Sequence, residues 1–248
     1  MKLLLVNGNR TQAVTDHVVA VARGLAAPGS DIAGVTARFG ADIVTAEPEN
    51  VIAAHAVLDL LAEHHAGFDA AILAISFDSG LFAARDLVPI PVIGMTEAAL
   101  NAAVAGGGKV GVILFGRASL PLYEAHFARL PAGRAITALR VVEIASVQGY
   151  LDTSAQEAAV LTEIASLQRE GIARIVICGA AMAGLAARLQ PKTGARLFDG
   201  IACAVAEAER LVRAGEGAPK PRDPLVRSST VTGVSPALEA LFKARNAP

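Results

Sequence analysis

Apolar positions along this chain follow two rhythms. Unbroken runs rich in Leu, Ile and Val stand at 2–6 (KLLLV), 70–75 (AAILAI), 91–95 (PVIGM), 109–115 (KVGVILF), 140–145 (RVVEIA) and 174–179 (RIVICG). Their lack of polar alternation predicts strands buried on both faces. Between most of them apolar residues recur at helical spacing, as at Val14, Val18, Val21 and Leu25, or at Val51, Val57, Leu60 and Leu61. That spacing predicts amphipathic helices. Strands alternating with helices imply an α/β fold with parallel, doubly wound sheets.

The pattern also repeats. LLLVNGN, AILAISFDSGLFAAR and PVIGMTEAAL in the first half are answered by KVGVILFGRASLPLY, RIVICGAAMAGLAAR and RLFDGIACAV in the second. GLFAAR at 80–85 corresponds to GLAAR at 184–188, and Gly94 to Gly200. Two pseudo-symmetric, flavodoxin-like lobes are expected, 1–103 and 104–210, each a mostly parallel sheet flanked by helices, with a cleft between them. Residues 211–248 form a tail. From 215 to 234 it carries Pro and Gly without periodicity, and Ser235 followed by Pro236 predicts a short closing helix that packs on the N-terminal lobe or serves a dimer contact.

Composition narrows the function classes. Hydrophobic residues make up 53% of the 248 and charged residues 18%, which supports helices packed on buried sheets and excludes extensive disorder. A net charge of −1 offers no field to recruit nucleic acid or an acidic membrane surface, so a small-molecule partner is expected. Charged residues interrupt every apolar stretch before the roughly 20 residues a spanning helix needs. The opening MKLLLV is too short for a signal-peptide core, which points to a cytoplasmic protein. Two cysteines, Cys178 and Cys203, suit neither a disulfide framework nor a structural metal site, and none of the five histidines shows metal-ligand spacing. Gly106-Gly107-Gly108 precedes a strand instead of following one, so no phosphate loop or dinucleotide fingerprint is expected.

Candidate chemistry gathers where strands hand over to helices, since ligands of open α/β sheets bind outside the strands' carboxyl ends. Those turns carry Asn7, Asn9 and Thr11; Ser76, Asp78, Ser79 and Gly80; Thr96; Gly116 and Ser119; and Gly179, Ala180, Ala181 and Met182. Helix N-termini converging there would cradle a carboxylate or a ring carbonyl. The hydroxyl and amide side chains either bind ligand or cap helices. Asp78 is either an acid–base group or an Asx-turn residue.

At these turns the chain resembles the aspartate/glutamate/hydantoin racemase superfamily, in its hydantoin and allantoin racemase branch. VNGNRT, FDSGLFAARD, IPVIGMTEAAL, ICGAAMAGLAARL and LFDGIACAV carry the resemblance, which covers most of 1–210. It implies a cofactor-independent isomerase, homo-oligomeric, that works through an enolate-like state with one cysteine from each lobe facing the substrate. The cysteine columns fall here on Ile75, or Ser76 if the turn is one residue shorter, and on Gly179, with Cys178 one residue early. A one-residue shift on a strand turns a side chain to the other face. Ser76, Asp78, Gly179 and Cys178 are therefore the catalytic candidates, on a small carboxylate or cyclic ureide. A decarboxylase or other lyase, a ring-opening hydrolase, and a non-catalytic small-anion-binding protein are the alternatives.

Overall fold

A computed structural model describes residues 1–144, 153–218 and 231–246. Eight strands form two four-stranded parallel sheets of the same order. The first, β2-β1-β3-β4, comprises β1 (Lys2–Asn7), β2 (Asp31–Thr36), β3 (Ala70–Leu73) and β4 (Val92–Gly94). The second, β6-β5-β7-β8, comprises β5 (Val110–Phe115), β6 (Ile136–Val142), β7 (Arg174–Ile177) and β8 (Arg196–Asp199).

The expected runs at 70–75, 91–95, 109–115 and 174–179 each contain a shorter strand, and the run at 2–6 is a strand that extends to Asn7. PVIGM is cut at Gly94 because Met95 already begins a helix. The strand expected at 140–145 lies earlier, and Ala145 falls outside the described residues. Two edge strands escaped the pattern. β2 reads DIAGVT and is largely solvent-facing, and β8 has only four residues, so neither offers a continuous apolar run. β2 is half-exposed and polar, while β8 is buried at Leu197, Phe198 and Asp199 but bounded by charged residues.

Nine helices join or follow these strands among the described residues: α1 (Gln12–Leu25), α2 (Glu47–His64), α3 (Leu81–Leu87), α4 (Met95–Val104), α5 (Leu120–Arg129), α6 (Thr153–Arg169), α7 (Leu185–Leu189), α8 (Gly200–Ala214) and α9 (Pro236–Asn246). The closing helix α9 starts as expected. The Ser235 hydroxyl accepts from Leu238 N–H at 3.2 Å, and the helix packs on α2 and α3 through the buried Leu238. Residues 219–230 of the tail lie outside the described residues.

Helices cross between the sheets. α4 follows β4 of the first sheet but lies against β7 and β8, while α8 follows β8 of the second but lies against β3 and β4. The two helices also pack on each other. Apolar side chains dictate this. Ala99, Leu100 and Ala103 of α4 join a core with Val110, Val112, Val176 and Phe198. Ile201, Ala204, Val205 and Ala208 of α8 join one with Leu3, Leu5, Ile72 and Ile93. The first glycine of the 106–108 triplet also serves this exchange: a Cβ at Gly106 would collide with the Arg174 guanidinium, which reaches from β7 to the Ala103 carbonyl near the end of α4.

Polar contacts fasten the exchange. Glu209 of α8 accepts from Ala27 N–H and the Ser30 hydroxyl, both at 2.8 Å, in the turn after α1. Burial alone would raise its pKa, but these donors and the nearby Arg213 outweigh it and hold the carboxyl below its ordinary value. A depressed carboxyl adds stability above its unfolded value, near pH ~4.3, that is lost as pH falls through the folded value. Urea unfolding should therefore show Glu209→Gln less stable than the parent at pH 7, with the gap closing as pH drops below about 4. An equal gap at both pH values would exclude this account.

Candidate active site

In each sheet the chain leaves the central strand in one direction and returns to pair on its other side, so β1/β3 and β5/β7 mark topological switch points. Ligands bind at such points. The turn after β1 is tied internally. Asn7 Nδ2 donates to Asn9 Oδ1 and Thr15 Oγ1, both at 3.0 Å, and Asn9 Oδ1 also accepts from Thr11 N–H at 3.0 Å. Thr11 makes no side-chain cap on α1. Its hydroxyl donates instead to Asp42 O at 2.7 Å, fastening this turn to the loop before α2.

The turn after β3 is fixed from the other half of the molecule. Ser76 Oγ accepts from Gly179 N–H at 2.8 Å, a buried bond that joins the ends of β3 and β7. The Ser76 carbonyl accepts from Thr96 Oγ1 at 2.7 Å. Asp78 adopts φ +45°, a left-handed conformation that Asp tolerates better than most residues. Its fully buried carboxylate accepts from Thr96 N–H at 3.1 Å and Glu97 N–H at 2.9 Å, capping α4 from a distance, and His126 Nε2 lies 3.1 Å from Oδ2. Gly94 leaves the room: a Cβ there would sit 2.5 Å from the Asp78 carboxyl carbon. Phe77 packs on Tyr123 at 4.5 Å between ring centroids, so α5 grips this turn through both Tyr123 and His126.

Between these turns lies a cavity of about 450 Å³. Of the candidates, Asn9, Ser76, Gly116, Ser119 and Ala180 line it. It is thus built from both switch points. Ser119 is not a helix cap; its hydroxyl donates back to Gly116 O at 2.8 Å.

The other candidates stand outside the lining. Gly179 touches it only through its bond to Ser76. Asp78 and Thr96 are occupied behind the turn, and the Ser79 hydroxyl donates to Asn50 Oδ1 at 2.7 Å on α2. Gly80 supplies the left-handed residue that starts α3. Ala181 and Met182 point into the core with Ile113 and Phe115, because the second turn carries no polar group at the place of Asp78.

Cys178 is buried in the same core cluster as Val112, Leu114 and Val176 and does not line the cavity. Burial, and then the nearby Asp78, push its thiol far up, against a weaker opposing hydrogen bond with Thr96. Cys203 is pushed up to about 12 by burial and Asp199, with Arg196 opposing. Neither is a thiolate at neutral pH.

Sequence reasoning missed Thr45, Glu49 and Tyr123, which line the cavity, and His126, which holds Asp78. A signal existed for His126: it shares the apolar spacing of Leu122, Tyr123 and Phe127, and a polar residue in such a stripe needs a buried partner. Glu49, in the first turn of α2, and Thr45, in the loop before it, left no such signal, because the contact of that loop with the β1 turn is tertiary. Among the described residues no group of three or more His, Cys, Asp or Glu is placed to hold a metal, and no helix is long and apolar enough to cross a membrane.

Asp78→Ala strips three buried donors of their acceptor, and unfolding measurements should show a loss of about 3 kcal/mol, in the range for breaking a buried charged network. A loss under ~1 kcal/mol would mean the network is not holding the turn. Native protein should also react with a thiol reagent at Cys178 only after unfolding, whereas rapid labelling of the folded chain would contradict the placement above.

Residues 3–208 match the family described as Asp/Glu/Hydantoin racemase. A hydantoin racemase of Rhizobium meliloti is 33% identical over 150 residues, which span 60% of this chain and 62% of that protein, short of two thirds of its length. A hydantoin racemase of Paenarthrobacter aurescens is 26% identical over 224 residues, covering 87% of this chain and 92% of the relative. Among solved structures, allantoin racemase from Klebsiella pneumoniae superposes with a TM-score of 0.87 at 28% identity, covering 96% of this chain and 98% of the other. With its paired parallel sheets and a cavity at both switch points, the chain belongs to the Asp/Glu/hydantoin racemase family, in the branch of the hydantoin and allantoin racemases.

Proposed function

We propose that this protein is a racemase-type isomerase that acts, without a cofactor, at the carbon next to a carbonyl in a small cyclic ureide or related carboxylate. Family membership and the racemase names of its relatives support the enzyme class. The observation that carries the site assignment is the Ser76–Gly179 bond, which brings both strand-end turns to one cavity.

Proton loss next to a carbonyl builds negative charge on oxygen, and fixed hydrogen-bond donors aimed at that oxygen lower the barrier. Ser76 serves here. Its Oγ is held by the Gly179 amide, and its own proton is not used in that bond, so it can donate to the developing oxyanion. Asp78 acts through the turn as a positioning residue, keeping Ser76 and Phe77 in place through Thr96 and His126.

The lining contains no cysteine, which favours a second reading on the same cavity. An enolate formed by loss of carbon dioxide needs only one proton donor, so a lyase step asks less of these residues than a two-thiol exchange does.

Proton NMR in deuterated water separates the two. Incubation with 5-substituted hydantoins and allantoin should give loss of the ring-carbon proton signal, while substituted malonates should remain intact. Ser76→Ala should slow exchange at least tenfold, within the range for losing one oxyanion donor. Release of carbon dioxide from the malonates would establish the lyase instead, and neither exchange nor release would refute both.

A further inference from the structure

Granting, as proposed above, that substrate binds in the shared cavity, it meets an uneven charge distribution. Among the described residues the lining includes the carboxylates of Asp42 and Glu49 and no lysine, arginine or histidine. Asp42 is exposed and faces Arg10 at 3.3 Å, which offsets its charge. Glu49 is different. One oxygen, Oε2, accepts from Thr45 N–H at 2.6 Å, Thr45 Oγ1 at 3.0 Å and Ala46 N–H at 3.2 Å. All of these donors belong to the loop that forms the cavity wall.

A carboxylate offers about four acceptor sites over two oxygens, so three bonds on Oε2 leave the acceptor capacity of Oε1 unspent. The Thr45 amide above all holds the Glu49 carboxyl below its ordinary range; burial opposes it, and the Thr45 hydroxyl and the Ala46 amide reinforce it. It is ionised at neutral pH. Much of the remaining lining is apolar, including Ile43, Val44, Ile75, Phe77, Phe115 and Ile144. A second negative charge placed there would meet repulsion with little to solvate it.

The bond from the Ala46 amide, the N-cap of α2, also makes Glu49 a cap of that helix's first turn. That role uses Oε2 alone, and glutamine fills it as well as glutamate. The side chain therefore has a structural duty on one oxygen and an open one on the other.

We infer that Glu49 is a specificity-determining residue: Oε1 accepts a hydrogen bond from an N–H group of the ligand, so the cavity takes small molecules that present such a donor and refuses those that present a carboxylate to this wall.

The test measures binding of three probes to the full chain by calorimetry: hydantoin, 1,3-dimethylhydantoin, whose ring has lost both N–H groups, and malonate. The parent should bind hydantoin roughly tenfold or more tightly than either other probe, as expected for a hydrogen bond to a charged acceptor. In Glu49→Gln the amide oxygen can retain the cap while the NH2 turns to the cavity, converting an acceptor into a donor. The preference for hydantoin over the dimethyl ring should then shrink to within about threefold, and malonate should bind better than it does to the parent. Circular dichroism of the variant should be unchanged. Ratios that Glu49→Gln leaves unaltered, or a parent that prefers malonate, would overturn the assignment. If proton exchange of hydantoins persists alongside unaltered ratios, the cavity reading stands and only Glu49 is wrong; if no probe binds the parent, both fall.

Discussion

Each sheet of this protein is closed by a helix that the other sheet supplies. Because α4 lies on β7 and β8 while α8 lies on β3 and β4, neither half can bury its apolar face without the other. A sheet buried on both faces needs cover on both, and here one cover is exchanged. The exchange sets the halves in a fixed relation, with the ends of β1 and β3 opposite those of β5 and β7. From that relation follow the Ser76–Gly179 bond and a cavity with walls drawn from both halves.

The two halves repeat, yet they solve one problem differently. Each exchanged helix starts next to a glycine, Gly94 as the N-cap of α4 and Gly200 as the first residue of α8, and its first amides need acceptors. In the second half Asp199, at the end of β8, accepts from Ala202 N–H at 2.9 Å. The corresponding residue of the first half is Ile93, which is apolar and buried, and the acceptor comes instead from Asp78 in the preceding turn. The counterpart of Asp78 is in turn Met182, which fills core space. One carboxylate per half is kept, at opposite places of the repeat. The consequence is local: Asp78 forces its turn into a left-handed conformation, recruits His126, and stiffens the segment that carries Ser76. A buried polar network of this kind rigidifies only while every member is satisfied.

The frame is that of the racemase family. Within it Cys178 lies in the buried core, where burial keeps its thiol protonated, and the cavity is lined by hydroxyls, the Asn9 amide and the carboxylates of Asp42 and Glu49 among apolar side chains.

Much of this was readable from local pattern. Unbroken apolar runs marked the inner strands, helical spacing marked α1 and α2, and Ser235-Pro236 marked the start of α9, because each depends on neighbours in the chain. The internal repeat already implied two alike α/β units, and the strand-end turns pointed to the region of the cavity. Edge strand β2 buries too little to leave such a trace, and β8, though mostly buried, is too short and has charged residues at both ends. The division of the turn residues between lining and scaffold was decided only by tertiary structure. Ser76 and Asp78 are two positions apart, yet one meets Gly179 at the cavity and the other meets His126 behind it. Partners that lie 103 and 48 residues away in the chain, brought close by the exchanged helices, determine those roles, and no local spacing encodes them.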